Sequence, residues 1–208
     1  MHAEHRTRPR RSQNDEIQSP AISRGPPVAE KATTWHKEKT MILPTIRDPR
    51  FTTLRRGGTL STEDHHLLAA WAAGCAAHVL ASFEEARPAD RRPRDAIELT
   101  AGWIRGDISM TQARVAAYHA NAAAKDAAGA AKQAAYAAGQ AVAVAHVAAH
   151  YLGAAAYALR AVQSLDQTGD RLMAEWQWQI DTLPPPLKAL VLEDQKNRNA
   201  ICWNVFFV

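Results

Sequence analysis

Two histidines in the middle of the chain have the spacing of a shared ligand site. His146 and His150 are four residues apart, so on a helix both imidazoles face the same way and could bind one metal ion. Tyr157 continues the stripe, and a third ligand would come from another helix, with His78 or His119 as candidates. Core histidines that form hydrogen bonds with a neighbouring helix have the same spacing. This second interpretation is favoured, because buried polar groups are normally satisfied in that way.

The residue patterns that are typical of enzymes do not stand out in this sequence. The residues between the two histidines include no glutamate, which excludes an HExxH metalloprotease site. There is no Walker or dinucleotide-binding fingerprint, and no Ser/His/Asp or Cys/His nucleophile pattern. Carboxylates on apolar helix faces are too scarce to suggest general acid–base chemistry. The sequence therefore predicts a protein that is not an enzyme and that binds no metal or other cofactor.

Two arginine-rich stretches are candidates for binding an anion or a protein partner. Arg55 and Arg56 precede two glycines, as in some anion-binding turns, but no GK[ST] follows, so a solvated loop is favoured. Residues 90–95 (DRRPRD) are the densest charged cluster outside the N-terminal tail. The alternative to a binding edge there is a helix start with local ion pairs, each worth less than about 1 kcal/mol. Arg92 and Arg94 are kept as partner-binding candidates.

Tryptophans are the second kind of partner-binding candidate, because Trp is enriched at interface hot spots. Trp103 and Trp178 are the candidates, and of the two Trp178 is expected to be the more exposed. Trp71 and Trp203 are predicted to lie in the core, since a chain with few large side chains needs them to fill volume.

An alanine-dominated tract from Ala113 to Val162 must position these residues. Alanine is the strongest helix former. A helix with small side chains on every face is expected in the middle of a bundle, where neighbouring helices can approach closely. A membrane span is the alternative, because residues 133–159 carry no charge. It is disfavoured because alanine contributes little to insertion and the glutamines and histidines oppose it. The prediction is an all-α, multi-helix bundle around a central alanine-rich helical hairpin.

Capping residues mark the helices around this tract. Ser61 and Ser109 are each predicted to cap a helix, the second with Gln112 as its capping-box partner, and Asp90 is the expected cap between them. The last residues are apolar and are expected to dock onto the bundle. The predicted turns and breaks lie at residues 126–129, 145–149, 167–170 and 184–186.

The basic charge of the chain is concentrated at its N-terminal end. The net charge of the 208 residues is +4, and residues 1–40 contain eight basic and five acidic residues, which leaves 17 basic and 16 acidic residues for the rest. The nearly neutral remainder argues against a nucleic-acid surface. A membrane-surface protein is disfavoured because no helix is lined with Lys and Arg.

The predicted organisation has three parts: a disordered tail at residues 1–40, an extended arm with turns at 41–60, and a helical domain at 61–208. Met41 precedes the first sequence that resembles ordered structure and is an alternative start. Cys75 and Cys202 lie in apolar helical patterns and are predicted to be buried free thiols in a reducing cytoplasm. An alanine-rich surface can pair with itself, so formation of a homodimer is kept as an alternative to a monomer.

Four segments resemble a bacterial family of immunity proteins, the alanine-rich type-five-like immunity domain of polymorphic toxin systems. They cover about residues 44–207, nearly the whole chain beyond the tail. Ala148 departs from the family, since many members are expected to have a helix-breaking proline there. The segments are IRDPRFTTLRRGGTLSTEDHHLLAAWAAGCAAHVL, RPRDAIELTAGWIRGDIS, AHVAAHYLGAAAYAL and LVLEDQKNRNAICWNVF.

The resemblance implies a cytoplasmic protein that binds and neutralises a cognate toxin and has no catalytic residues. We expect it to act by steric occlusion. Its acidic residues are spread over separate helices, so an inhibitor that mimics nucleic acid is not indicated. The alternative function is a small-ligand or metal-binding helical bundle that uses His146 and His150, together with His119 and Tyr157.

Overall fold

The computed structural model describes residues 42–166 and 168–208, and in these ranges the chain is helical. Its α-helices are α1 Thr62–Val79, α2 Ala81–Ala86, α3 Arg92–Arg105, α4 Met110–Lys125, α5 Gly129–Ala143, α6 Tyr151–Gln163, α7 Asp170–Asp181 and α8 Lys188–Arg198. Short 3-10 turns lie at Pro49–Phe51, Leu54–Arg56, Ala148–His150, Pro185–Leu187 and Ala200–Cys202. The all-α class is thus confirmed, with one isolated β-bridge between Thr53 and Leu60. The tail predicted at residues 1–40 lies outside the described residues.

Helix α5 is the centre of the bundle, where the alanine content of the sequence placed it. It packs against α1, α2, α3, α4 and α6, and every residue from Gln133 to Ala145 is buried. Helix α6 returns beside it and is buried from Tyr151 to Leu159. The predicted alanine-rich hairpin is therefore confirmed. No helix in the described ranges combines the length and the apolar character that a membrane crossing requires.

Side-chain caps begin the helices at the predicted places. The hydroxyl of Ser61 accepts the N–H of Asp64 at 3.0 Å, and Ser109 and Gln112 form the complete capping box. The predicted cap Asp90 is the exception: the N-cap of α3 is Arg91, which has no side-chain cap bond, and Asp90 lies one residue earlier with its carboxylate accepting the N–H of Arg92 at 3.1 Å. The two turns inside the alanine tract are confirmed, because α4 ends at residue 125, α5 spans residues 129–143 and α6 begins at residue 151.

The large side chains fill the core only in part as predicted. Trp71 is buried, and its indole N–H donates to the carbonyl of Gln179 at 3.0 Å. Trp203 is only half-buried: the guanidinium of Arg160 lies 4.3 Å from the centroid of its ring. The prediction that Trp203 lies in the core is correct in part: it packs against the core, but it sits at a turn with a positive backbone φ of 59°.

Both cysteines are buried free thiols, as the sequence predicted. Burial raises the pKa of the Cys75 thiol, and it raises the pKa of Cys202 to about 12. Neither thiol is therefore ionised near neutral pH, which makes both unreactive side chains of the core.

Candidate functional site

A cleft of about 540 Å³ opens between the N-terminal arm and the helical bundle. The arm supplies one wall, and α1, α3, α4, α8 and the connection between α5 and α6 supply the rest. Arginines from both sides line it, and we call it the arginine cleft: Arg47, Arg55, Arg56 and Arg198. Its volume lies within the range of small-molecule sites in proteins.

The arm is held against the bundle by a cap and a buried ring. Asp48 accepts the backbone N–H of Arg50 at 2.8 Å and begins the turn Pro49–Phe51. The ring of Phe51 is buried and stacks on that of Tyr151, with centroids 5.1 Å apart. The arm therefore presents its arginines from an anchored backbone.

The turn that carries Arg55 and Arg56 closes on two glycines. Gly57 has a φ of 82°, in the left-handed region that favours glycine. A Cβ atom on Gly58 would lie 2.0 Å from the carbonyl oxygen of Thr52, so no other residue fits there. The two glycines are thus required by the tight return of the chain, and they hold both arginines at the mouth of the cleft.

The charge that lines the arginine cleft is positive. Four arginines and two aspartates line it, and both aspartates are engaged inside the protein. Asp48 pairs with Arg50 at 2.7 Å, and this guanidinium lowers the pKa of its carboxyl group. Asp194 pairs with Arg198 at 2.9 Å.

The other three arginines of the cleft carry the excess charge. Within the described ranges, the guanidinium groups of Arg47, Arg55 and Arg56 have neither an ion pair nor a hydrogen bond. All three are exposed to solvent. The cleft therefore offers unneutralised donors to a ligand or a partner.

Three histidines and a tryptophan line the deeper part of the cleft. The Nε2 of His65 donates to the carbonyl of Val144 at 2.7 Å. Trp103 lies edge-on to both His65 and His66, with ring centroids 4.9 Å apart in each pair. Burial lowers the pKa of His65, so its ring is neutral near pH 7. The third histidine is His146, one of the two from the four-residue spacing.

His146 and His150 lie side by side, with ring centroids 5.1 Å apart. His150 is turned toward the core, where its Nδ1 donates to Oε1 of Gln140 at 2.7 Å. Burial, with the nearby His146 and Arg198, lowers the pKa of His150 to about 3. Burial and the guanidinium groups of Arg114, Arg56 and Arg47 lower the pKa of His146. The Nδ1 of His146 is buried without a hydrogen-bond partner.

The remaining members of the predicted polar site do not join this pair. His78 instead pairs with Glu175 at 2.5 Å, His119 is exposed on α4, and Tyr157 packs between the rings of Tyr136 and Trp203. No group of three His, Cys, Asp or Glu side chains that could hold a metal ion occurs in residues 42–166 and 168–208.

The predicted partner-binding residues are spread over separate places. Trp103 lines the arginine cleft. Arg92 pairs with Asp90 at 2.6 Å and with Asp126 at 3.0 Å, and Arg94 pairs with Glu84 at 2.5 Å. Trp178 is half-buried and stacks on His78 at 3.9 Å. The local ion pairs considered as an alternative for residues 90–95 are present, while the roles of all four residues stay predictions.

The sequence reasoning missed most of the cleft. The sequence did not predict Arg47, Arg198, His65 or His66 as site residues. It favoured a solvated loop for Arg55 and Arg56. The one available signal was the arginine pair before two glycines. Its meaning depended on which helices would lie opposite, and spacing along the chain does not supply that.

The fold and the cleft together define a class: an all-helical protein with a cationic cleft built by its N-terminal arm. The chain belongs to the family of Imm-5 like putative immunity proteins, whose family model matches residues 58–186. The resemblance seen in the sequence is thereby confirmed. No curated protein and no solved structure matches the chain. The matched range includes α1 to α7, whereas all four arginines of the cleft lie outside it.

Proposed function

We propose that this protein binds a cognate toxin in the cytoplasm of the cell that produces it and neutralises it by covering a surface the toxin needs. Membership of the immunity-protein family supports the class of partner. The buried free thiols support a reducing compartment.

The observation that carries the proposal is a set of exposed apolar side chains on the elements that line the arginine cleft. Ile46 and Leu54 on the arm are 85% and 66% exposed. Met110 and Tyr118 on α4 are 43% and 58% exposed. Exposed apolar side chains that are grouped together, unlike ones scattered singly, mark sites of protein–protein contact, and we propose that these four act as such a group. We name these four residues the apolar rim.

The apolar rim and the arginine cleft complement each other as an interface. Interfaces combine an apolar contact region with arginines that recognise acidic groups of the partner. The cleft supplies unneutralised guanidinium groups beside the rim, so the partner surface is expected to be apolar with acidic residues at its edge. Covering the toxin in this way requires no catalytic residue in this chain.

The test is capture with the full chain as bait in a lysate of the native cells, followed by a growth assay. A captured protein that arrests growth when expressed alone, and no longer does so when this chain is co-expressed, is the expected result. A captured protein that is harmless on its own, or whose toxicity persists with this chain present, would contradict the proposal.

A matched pair of variants locates the interface. Leu54→Asp places a charge in the apolar rim and should abolish both capture and growth rescue. Leu165→Asp makes the same change at the end of α6, at a site 58% exposed, and should leave both intact. Equal behaviour of the two variants would show that the toxin does not bind at the rim.

A further inference from the structure

The arginine cleft has features of a ligand site that the binding of a protein at its rim does not explain. The guanidinium groups of Arg47, Arg55 and Arg56 face a cavity of about 540 Å³, far more than one water or one small ion occupies. Trp103 and Val147 give part of the wall an apolar and aromatic character. Charged donors at one side of a partly apolar cavity suit a ligand with an anionic end and an organic body.

Two of the three arginines act on the same histidine of the cleft. Arg47 and Arg56 both act electrostatically on His146, which lies on the opposite wall, in the connection between α5 and α6. Arg47 also acts on the deeper His150. Like charges that line one cavity repel one another, and a bound anion relieves that repulsion.

Two buried polar atoms on the cleft residues also lack partners. They are Nδ1 of His146 and Nε of Arg198. The Nη atoms of Arg198, which is 4% exposed, do have partners in Asp194, Ile42 and Ala149. Buried donors without a partner are rare in proteins, since each gives up its hydrogen bonds to water and gains none in return. Small movements of these side chains when a ligand enters would satisfy them.

The number of free guanidinium groups selects the kind of anion. One carboxylate is satisfied by a single arginine, through two parallel hydrogen bonds. A phosphate group carries close to two negative charges and has three terminal oxygens, so it engages several arginines at once. Three free arginines around one cavity therefore fit a phosphate better than a carboxylate.

We propose that the arginine cleft binds a phosphorylated small molecule, with the phosphate on Arg47, Arg55 and Arg56 and the organic part toward Trp103. The site uses the same arginines that the toxin proposal offers to acidic groups of the partner, but its test is made on the purified chain alone, so either proposal can fail without the other.

Calorimetric titration of the purified full chain with adenosine monophosphate tests this site at constant ionic strength. We expect saturable binding, competition by inorganic phosphate, and no binding of adenosine. Arg55→Ala/Arg56→Ala should weaken binding at least about tenfold, since charge-assisted hydrogen bonds are the strong kind and the variant loses two of the three arginines that supply them. Arg171→Ala removes an exposed arginine of α7 that does not line the cleft, and should change nothing.

Three results would overturn the assignment. They are the absence of saturable binding, equal affinity in the double variant and the wild type, and binding of inorganic phosphate as tight as that of the nucleotide. The last would reduce the cleft to a site for the bare ion. Circular dichroism of the double variant checks its fold, which is expected to be intact because both arginines are exposed.

Discussion

His150 shows how a single buried residue couples this fold to pH. Its Nδ1 donates to Gln140, and its pKa is lowered to about 3, whereas a histidine in an unfolded chain titrates near 6.5. Between these two pH values the unfolded state binds a proton that the folded state does not. The free energy of unfolding therefore falls as the pH drops below 6.5.

We expect His150 alone to cost the protein about 2 kcal/mol of stability between pH 7 and pH 5. Urea denaturation of the wild type and of His150→Gln at both pH values measures this. The fall in the free energy of unfolding from pH 7 to pH 5 should be about 2 kcal/mol smaller in the variant than in the wild type, because glutamine does not take up a proton on unfolding. His119→Gln, at an exposed site on α4, is the control and should lose as much as the wild type. An equal loss in all three proteins would show that His150 becomes protonated inside the fold.

Helices α5 and α6 show at the scale of elements why so much of this part of the chain consists of small residues, mainly alanine. A Cβ atom on Gly153 would lie 2.5 Å from Oε1 of Gln140 and 3.0 Å from Cδ1 of Ile42. Gln140 is itself held by its hydrogen bond from His150. Larger residues at this contact would push the two central helices apart, so close approach depends on the small residues.

Two glycine-to-alanine substitutions should therefore have opposite signs. Gly153→Ala is expected to destabilise the protein by about 1–3 kcal/mol through overpacking against Gln140. Gly74→Ala, on α1 with no atom within 4 Å of its Cβ position, should stabilise it by about 0.5–1 kcal/mol, because alanine favours the helix. Urea denaturation at pH 7 gives both values. Two stabilised variants would mean that α5 and α6 are not closely packed at Gly153.

Arg198 connects distant parts of the whole molecule. Its buried guanidinium donates to Asp194 at 2.9 Å, to the carbonyl of Ile42 at 2.8 Å and to that of Ala149 at 3.1 Å. The hydroxyl of Tyr151 donates to the same carboxylate at 2.6 Å. The last helix, the start of the arm and the connection between the central helices thus share one buried ionic network.

Removing the acid of this network should destabilise the whole fold. Asp194→Ala leaves the guanidinium of Arg198 buried without a counter-charge, a change that costs about 3–5 kcal/mol in buried pairs. The neighbouring Glu193→Ala breaks only an exposed pair with Arg50 and should cost less than about 1 kcal/mol. Thermal and urea unfolding of the two variants measure the difference. Similar costs would show that water replaces the missing carboxylate.

The fold could be predicted from the sequence because helix caps and helix propensity depend on residues close together in the chain. Ser61 and Ser109 cap helices through residues three positions away, and the alanine tract specifies helix by propensity alone. The central place of α5 also followed, since a helix with only small side chains is stable where others surround it. Trp203 was predicted to lie in the core but is only half-buried, because it sits at a turn near the end of the chain that helical patterns do not reveal.

The arginine cleft could not be predicted from the sequence, because it is assembled from six parts of the chain that only packing brings together. Arg55 and Arg56 precede two glycines, a weak signal of an anion-binding turn, and His66 has the pattern of an ordinary helix residue. The sequence by itself determined the helices, their caps and the central hairpin, which rest on interactions within a few residues. Only the tertiary structure decided that Arg47, Arg55 and Arg56 face His146 and Trp103 across a cavity. The physical reason is that such convergence of charge depends on where the arm docks through Phe51 and Arg198.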